Sequence, residues 1–595
     1  MSSGQASWVR SGNAWLHVTL HLPTDAWRDL CRDLCIVVVP PVGHEYTHSH
    51  SSVRLLCEQL CAAGFPVARF DLEGTGNSYR SDRPERLLDA WVQNVADVVD
   101  WLQVKTGCTD TGVAGLRMGA SVAALYAQKR PVHSLVLWAP CMSGAAFLRD
   151  CQMIGTALQY RKDTGKLDCG GIVLDAGVQN DIARLRLHCI VPATRRVFLL
   201  DRDDSPSASA VQNWLRPTGI KLTTTVQPQY AQMMRQSMNS LVPIISIGEA
   251  VAWFSDDETI AVMPTRKLTE FSFEPDALLL HTETFCRFGA KGLFGVLNRP
   301  STSASPNLDT RSQHMVVMPN TGGAHHVGPC NLHVFLARAL ADAGIASFRF
   351  DLRNLGDSVT GMPPGVDQPY PRDGWQDLST VLDELHTQHG FSSFTVAGLC
   401  SGAFTGFQAL NRYLTGASSH RITLAVLINP SIYYWDESMV VDQCMSSSRY
   451  EDVVSAYTEE LASADKFRKL LAGEVDLVRA VTTTVSRLVT KLRSTLLDTL
   501  DRAGLTRSRI ARDIEKAAAR GCQVRVYAAD GDPAVAILHN LGGHSVQRLI
   551  SDGTLPVTIL SGADHTFSAA DSRDTLVRML VTDMGTALLN GDCWI

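Results

Sequence analysis

No charge of one sign prevails in this sequence: 54 Lys and Arg stand against 60 Asp and Glu, a formal net charge of −6. Without a basic excess to neutralise phosphates, nucleic acid is not expected as a partner. No run of about 18 or more apolar residues is present to span a bilayer. The opening "MSSGQASWVRSGNAWLHVTL" has no basic region followed by an apolar core, so neither a membrane anchor nor a secretory leader is expected and the location reads as cytoplasmic. The 15 cysteines fall without C-x-x-C pairs or regular spacing. That fits reduced, mostly buried thiols better than a disulfide framework or zinc site. What is present is a long chain of ordinary composition, 595 residues and 45% hydrophobic, too long for one core.

The length is explained by a duplication. "LCEQLCAAGFPVARFDLEGTGNS" and "LARALADAGIASFRFDLRNLGDS" place Gly64, Asp71, Gly76 and Ser78 opposite Gly344, Asp351, Gly356 and Ser358, each 280 residues apart. An apolar run precedes each copy, "CIVVVPPVG" or "HMVVMPNTGG", and a helical pattern led by Trp91 or Trp375 follows. Further β-like runs come after, "SLVLWAP", "RRVFLL", "LAVLINP", "CQVRVY" and "LPVTILSG". Alternating strands and helices predict an α/β fold, two tandem domains, each a mostly parallel sheet flanked by helices. The boundary is expected near residue 275, giving domains 1–274 and 275–595. The second opens on a hairpin, "ETFCRFGAKGLFGVLNRP", turning at Gly289 to Gly292. The Ser/Pro/Asn-rich "STSASPNLDTRSQ" reads as a surface loop. Segments 434–521 and, less clearly, 142–190 interrupt the strand pattern and are candidate helical lids.

The chemistry concentrates in "FTVAGLCSGAF", where Gly398 and Gly402 flank Cys400 at minus two and plus two. Glycines at those offsets let a strand turn sharply into a helix and expose one strained side chain. Ser401, with Leu399 and Ala403 at the same offsets, does not occupy that slot. A helix N-terminus and a nearby histidine would favour the thiolate. The acid is expected in "AADGDPA" after the strand "CQVRVY", as Asp532 with Asp530 in reserve. The base is expected in "ADHTFS" after the final strand, as His565. For the oxyanion, the backbone N–H of Ser401 would join one from "NTGGAHH", around Thr321, Gly322 and Gly323. His325 and His326 in that loop are candidates for substrate contact or for a solvated pair.

With nucleophile, acid and histidine in that order, both halves resemble α/β-hydrolase fold proteins of the serine-aminopeptidase-like kind. The openings "PPVGHEYTHSH" and closings "SGADHTFS" are similar to hydrolases of bacterial exopolysaccharide and natural-product gene clusters, and the elbow cysteine is similar to that of dienelactone hydrolases. The resemblance implies acyl transfer or hydrolysis of an ester, thioester or lactone through an S-acyl-cysteine. The partners expected are a small acyl substrate, carried free, on an acyl carrier protein or as a coenzyme A thioester, with no cofactor. The alternative is a non-catalytic interaction protein built from two degenerate domains.

In the first copy, "TGVAGLRMGAS" puts Arg117 at the elbow, and a guanidinium cannot act as a nucleophile. The base position falls at about Met238, so the first domain is expected to be a pseudoenzyme. Arg117 at a helix N-terminus calls for a carboxylate, and Asp201 or Asp204 is the expected partner; the other reading is an anionic ligand in the old pocket. His44, His48 and His50 read as a helix-start cluster without a metal. Residues 479–520 carry ten basic side chains against four acidic, with Val478, Val481, Val485, Leu488 and Leu492 at helical spacing. The segment is expected to be amphipathic, its basic face a solvated surface or a docking face for an acidic carrier or phosphate-rich coenzyme.

Overall fold

Leu34 to Val39 is an unbroken apolar run, the pattern of a strand covered on both faces. In a computed structural model of the chain it forms β3 (Leu34–Val39), all six residues buried. Cys35, Val37 and Val39 enter one apolar cluster, and Leu34, Ile36 and Val38 enter the cluster on the opposite face. Successive side chains of a strand point to opposite faces, so one run feeds two cores. Each fully buried Val or Leu contributes about 1.5–3 kcal/mol.

The structure describes residues 4–23, 31–80, 86–157, 165–235, 240–262, 281–300, 313–358, 370–413, 421–434 and 507–589. The expected domain boundary near 275, the loop 301–312, Met238 and residues 435–506 of the expected lid lie outside them. Met1–Ser312, Asn320–Pro369 and Thr566–Gly585 form one compact unit, and Gln313–Pro319, Tyr370–His565 and Thr586–Ile595 another.

The described strands form two mostly parallel eight-stranded sheets and one two-stranded ribbon. Besides β3, the first sheet holds β1 (Gln5–Ser11), β2 (Ala14–His21), β4 (Val67–Phe70), β5 (Asp110–Leu116), β6 (Val132–Trp138), β9 (Thr194–Arg202) and β10 (Lys221–Gln227). Its order is β1-β2-β4-β3-β5-β6-β9-β10. The hairpin β1–β2 is antiparallel, β2 runs antiparallel to β4, and the remaining pairs are parallel. Between β6 and β9, part of the candidate lid 142–190 forms helices Gly144–Ala157 and Ala176–Ala183 and the ribbon β7 (Leu167–Asp168) and β8 (Val173–Leu174).

The second sheet comprises β11 (His281–Phe288), β12 (Leu293–Pro300), β13 (His314–Pro319), β14 (Ala346–Phe350), β15 (Ser393–Leu399), β16 (Arg421–Ile428), β17 (Gln523–Ala529) and β18 (Val557–Leu560). In the first unit, β11 and β12 form the expected hairpin and β12 runs antiparallel to β14. In the second unit, β13, β15, β16, β17 and β18 pair in that order, all parallel. Parallel strands bring their carboxyl ends to one edge, where α/β sheets place their ligands.

The repeated turn is built alike in both copies, and both examples lie in the first unit. Ser78 Oγ donates to Asp71 O and Asn77 N to Asp71 Oδ2. Ser358 Oγ donates to Asp351 O and Asp357 N to Asp351 Oδ2. Gly76 and Gly356 sit at φ 50° and 49° against those carboxylates, where an added Cβ would collide. The two turns also exchange partners. Arg69 of the first copy pairs with Asp357 of the second, and Arg349 of the second donates to Asn77 Oδ1 of the first at 2.5 Å. Arg69 and Arg349 are 280 residues apart, as are Asn77 and Asp357. The junction is thus a pseudo-twofold contact in which each copy offers the same face to the other.

Candidate functional site

Strand β15 ends at Leu399 and the helix Ser401–Tyr413 begins two residues later, leaving Cys400 to make the turn. Its φ is 55°, a conformation that costs a non-glycine residue roughly 1–3 kcal/mol. The turn closes tightly enough that a Cβ on Gly398 would collide with the backbone of Gly402 and Ala403. The Cys400 N–H donates to Ile428 O at 2.9 Å, fastening the elbow to β16.

Three strand ends of the second unit bring the expected side chains together. Asp532 follows β17; its Oδ1 accepts from the Ala534 N–H at 2.9 Å and its Oδ2 lies 2.6 Å from His565 Nδ1. The carboxylate is 2% exposed and the imidazole 29%. Asp530, the reserve acid, is exposed, and its N–H donates to Leu560 O. Of the two, Asp532 is therefore the carboxylate paired with His565. Burial alone would push the Cys400 thiol up, but the charge of His565 and hydrogen bonds from Tyr370 and Ser431 hold it below the ordinary thiol range. Burial likewise works against a charged His565, and the neighbouring Cys400 and Asp532 reverse it, holding the ring well above an ordinary imidazole. Both shifts run in the direction of a thiolate–imidazolium pair. Cys400 and His565 act on each other through charge and through a side-chain hydrogen-bond contribution.

Two supporting residues carry no sequence signal. Tyr370 Oη lies 3.0 Å from Cys400 Sγ, and its ring stands edge-on to Phe404 on the elbow helix. Asn429, at φ 42° just past β16, donates through Nδ2 to His565 O at 2.7 Å and accepts at Oδ1 from the Ala529 N–H at 2.8 Å. One amide thereby ties the histidine loop to the acid strand.

Ser401 opens the elbow helix and is 1% exposed. Thr321, Gly322, Gly323 and His325 belong to the other compact unit. There the hydroxyl of Thr321 faces His333 Nε2 at 3.4 Å. His325 is buried, stacked on His50 with ring centroids 3.9 Å apart, its Nε2 3.3 Å from Tyr46 Oη. His326 Nδ1 lies 2.9 Å from Asp351 Oδ2. Both histidines are buried, which corrects the reading of a solvated loop pair. His48 Nδ1 meets Met234 O and His50 lies 3.7 Å from Asp357. Among the described residues, His326, Asp351 and Asp357 are spaced as metal ligands are. Arg69 already supplies the positive charge at Asp357, so the group reads as a charge network.

Two family models match the chain. One, described as serine aminopeptidase S33, matches residues 40–163, and the other, described as the alpha/beta hydrolase fold, matches 315–467. The chain carries two α/β-hydrolase domains in tandem. No curated protein matches. Solved structures similar to it include Est1E from Butyrivibrio proteoclasticus, at 19% identity over 42% of this chain and 96% of that one, TM-score 0.31. The Pyrococcus furiosus esterase Pf2001 is 14% identical over 43% of this chain and 91% of its own, TM-score 0.29. Proline iminopeptidase of Mycobacterium smegmatis is 15% identical over 42% and 96%, TM-score 0.28.

The first hydrolase domain repeats the elbow with Arg117 where the second has Cys400. Arg117 holds φ 55° before the helix Met118–Lys129, and its N–H donates to Trp138 O as that of Cys400 does to Ile428 O. The expected partner of Arg117 is corrected. Its guanidinium pairs with Glu45 at 2.7 Å and Asp150 at 3.5 Å. Asp201 is instead taken up by the Ser207 and Ala208 N–H groups and the Ser207 hydroxyl, and Asp204 by Arg202. Asp201 lies near the end of β9, and its carboxylate reaches the N-terminus of the helix Ala208–Leu215, whose unsatisfied N–H groups accommodate it. Among the described residues, no helix is long and apolar enough to cross a membrane.

Proposed function

We propose that the second domain transfers or hydrolyses an acyl group through a thioester on Cys400. The observation that carries this is the strained Cys400 elbow facing the His565–Asp532 pair, with the thiol held below its ordinary range. In this reading the Cys400 thiolate attacks the acyl carbonyl carbon of an ester, thioester or lactone. A C–S bond forms and the bond to the leaving group breaks, with His565 giving its proton to the departing oxygen or sulfur. The Ser401 N–H, at the start of the elbow helix, faces the developing oxyanion. Water, an alcohol or an amine then attacks the thioester while His565 takes its proton, and the thiolate is restored. Asp532 fixes the ring with Nδ1 protonated toward itself.

The acyl group would arrive on a small molecule, as a coenzyme A thioester or on an acyl carrier protein. The resemblance of "PPVGHEYTHSH" and "SGADHTFS" to natural-product and polysaccharide cluster hydrolases is the basis for placing the reaction in a biosynthetic setting. In the same reading the first domain is a pseudoenzyme whose elbow has become the ion pair of Arg117 with Glu45.

Intact-protein mass spectrometry after incubation with acyl thioesters and activated esters tests the proposal. An adduct is expected on wild type and on Ser401→Ala and none on Cys400→Ala. An adduct on Ser401 would move the nucleophile by one residue; no adduct with any donor would leave the non-catalytic interaction protein as the standing reading.

A further inference from the structure

On the flank of the second unit, the elbow helix Ser401–Tyr413 and the helix Arg509–Ala518 border a cavity of about 470 Å³. That volume lies in the range of small-molecule sites. Five cations line it, Arg412, Arg509, Arg512, Lys516 and Arg520, against one carboxylate, Asp513. Asp513 is engaged: Tyr434 Oη donates to it at 2.6 Å and Lys516 lies 3.8 Å away. The next carboxylate on the same helix, Glu515, is taken by Arg507 and Arg548. Among the described residues no carboxylate pairs with Arg509, Arg512 or Arg520. The cavity therefore gathers like charge, three of its five cations having no carboxylate partner among the described residues, in a chain whose net charge is −6. A concave wall of one sign concentrates its field on a counter-ion, and guanidinium forks match phosphate oxygens two at a time. Arg509 Cζ lies over the Tyr434 ring, 3.8 Å from its centroid, and a guanidinium is a planar cation on which a nucleobase can stack. Gln408 and Arg412 place the cavity roughly 10–17 Å from Ser401 along the shared helix.

We propose that this cavity binds a multiply phosphorylated small molecule, with Arg509, Arg512 and Arg520 holding the phosphates. The binding stands on the cavity alone. That the phosphates belong to the acyl donor, as the head of a coenzyme-type thioester, rests on the reading of Cys400 as nucleophile.

Calorimetric titration of the full chain with inorganic pyrophosphate and with adenosine 3′,5′-bisphosphate tests the site. Saturable binding is expected, weakened about tenfold or more by Arg512→Glu, weakened by added salt and unchanged by Cys400→Ala. Arg512 is exposed, and Arg520→Gln serves in its place if the charge reversal unfolds the protein. No binding to wild type, or equal binding by wild type and both arginine variants, overturns the proposal. Acylation kinetics then identify the source. If Arg512→Glu slows a coenzyme A thioester but not its N-acetylcysteamine analogue, the phosphates are the donor's; if neither is slowed while binding is lost, the ligand is a free phosphate compound. Failure of every donor to label Cys400 removes the catalytic reading and leaves the titration result intact.

Discussion

At the scale of single residues, Cys400 and Arg117 pose one question with two answers. Both hold φ 55°, so the strain belongs to the elbow and does not depend on the side chain it carries. What separates them is the charge around the side chain, and this makes the thiol's titration a direct probe. The folded pKa of Cys400 is lowered by its surroundings, so the thiolate persists below the ordinary thiol range of about 8.5. Alkylation by iodoacetamide is therefore expected to stay fast at pH 7. In His565→Ala, where burial acts without its counter-charge, the midpoint of the alkylation profile should rise above that of wild type; an unchanged midpoint would remove the ion pair. Cys400, Asp532 and His565 were legible because each stands at a fixed offset from a glycine pair or a strand end. Tyr370, Asn429 and Glu45 were not, because their roles depend on chain segments that meet only in three dimensions.

Strands and helices were the most legible level, since apolar runs such as that of β3 report burial directly. The β1–β2 hairpin of the first copy escaped notice because its side chains, among them His17 and His21, mix polar and apolar types while being buried. The strands also store a pH dependence. Burial pushes His314 on β13 down to about 4 and His21 on β2 down to about 3, while His333 on the helix Leu332–Asp342 also falls to about 3. Each is neutral in the folded chain and takes up a proton on unfolding below about pH 6.5. Folding stability is thus complete above that pH and falls through the window from 6.5 toward 4 and 3, by roughly 1.4 kcal/mol per pH unit for each histidine. Thermal midpoints measured from pH 7 to pH 5 should fall accordingly. His314→Gln, able to bond the Ser393 and Thr395 hydroxyls that His314 meets, should make the decline shallower; an identical slope would exclude His314 as a contributor.

At the scale of the whole molecule, the duplication was visible as a 280-residue offset, but its physical use was not. Nothing in "VARF" or "SFRF" announces that each arginine will be buried against the other copy's turn. Asp357 is held well below the ordinary carboxylate range, burial opposing and Arg69 and His50 outweighing it. Asp357→Asn leaves the Arg69 guanidinium buried without its counter-charge and should cost about 3–5 kcal/mol in denaturant unfolding; a loss under 1 kcal/mol would show that the charge finds solvent. This reciprocal grip has a consequence for descent. The first elbow contributes no residue to the Arg69–Asp357 and Arg349–Asn77 contacts, so its side chain is free to vary. A gene that shed the first half outright would expose Arg349 and strip Asp357 of its cation in the same event. The arrangement works as a ratchet, tolerating change at the first elbow while penalising removal of the copy that carries it.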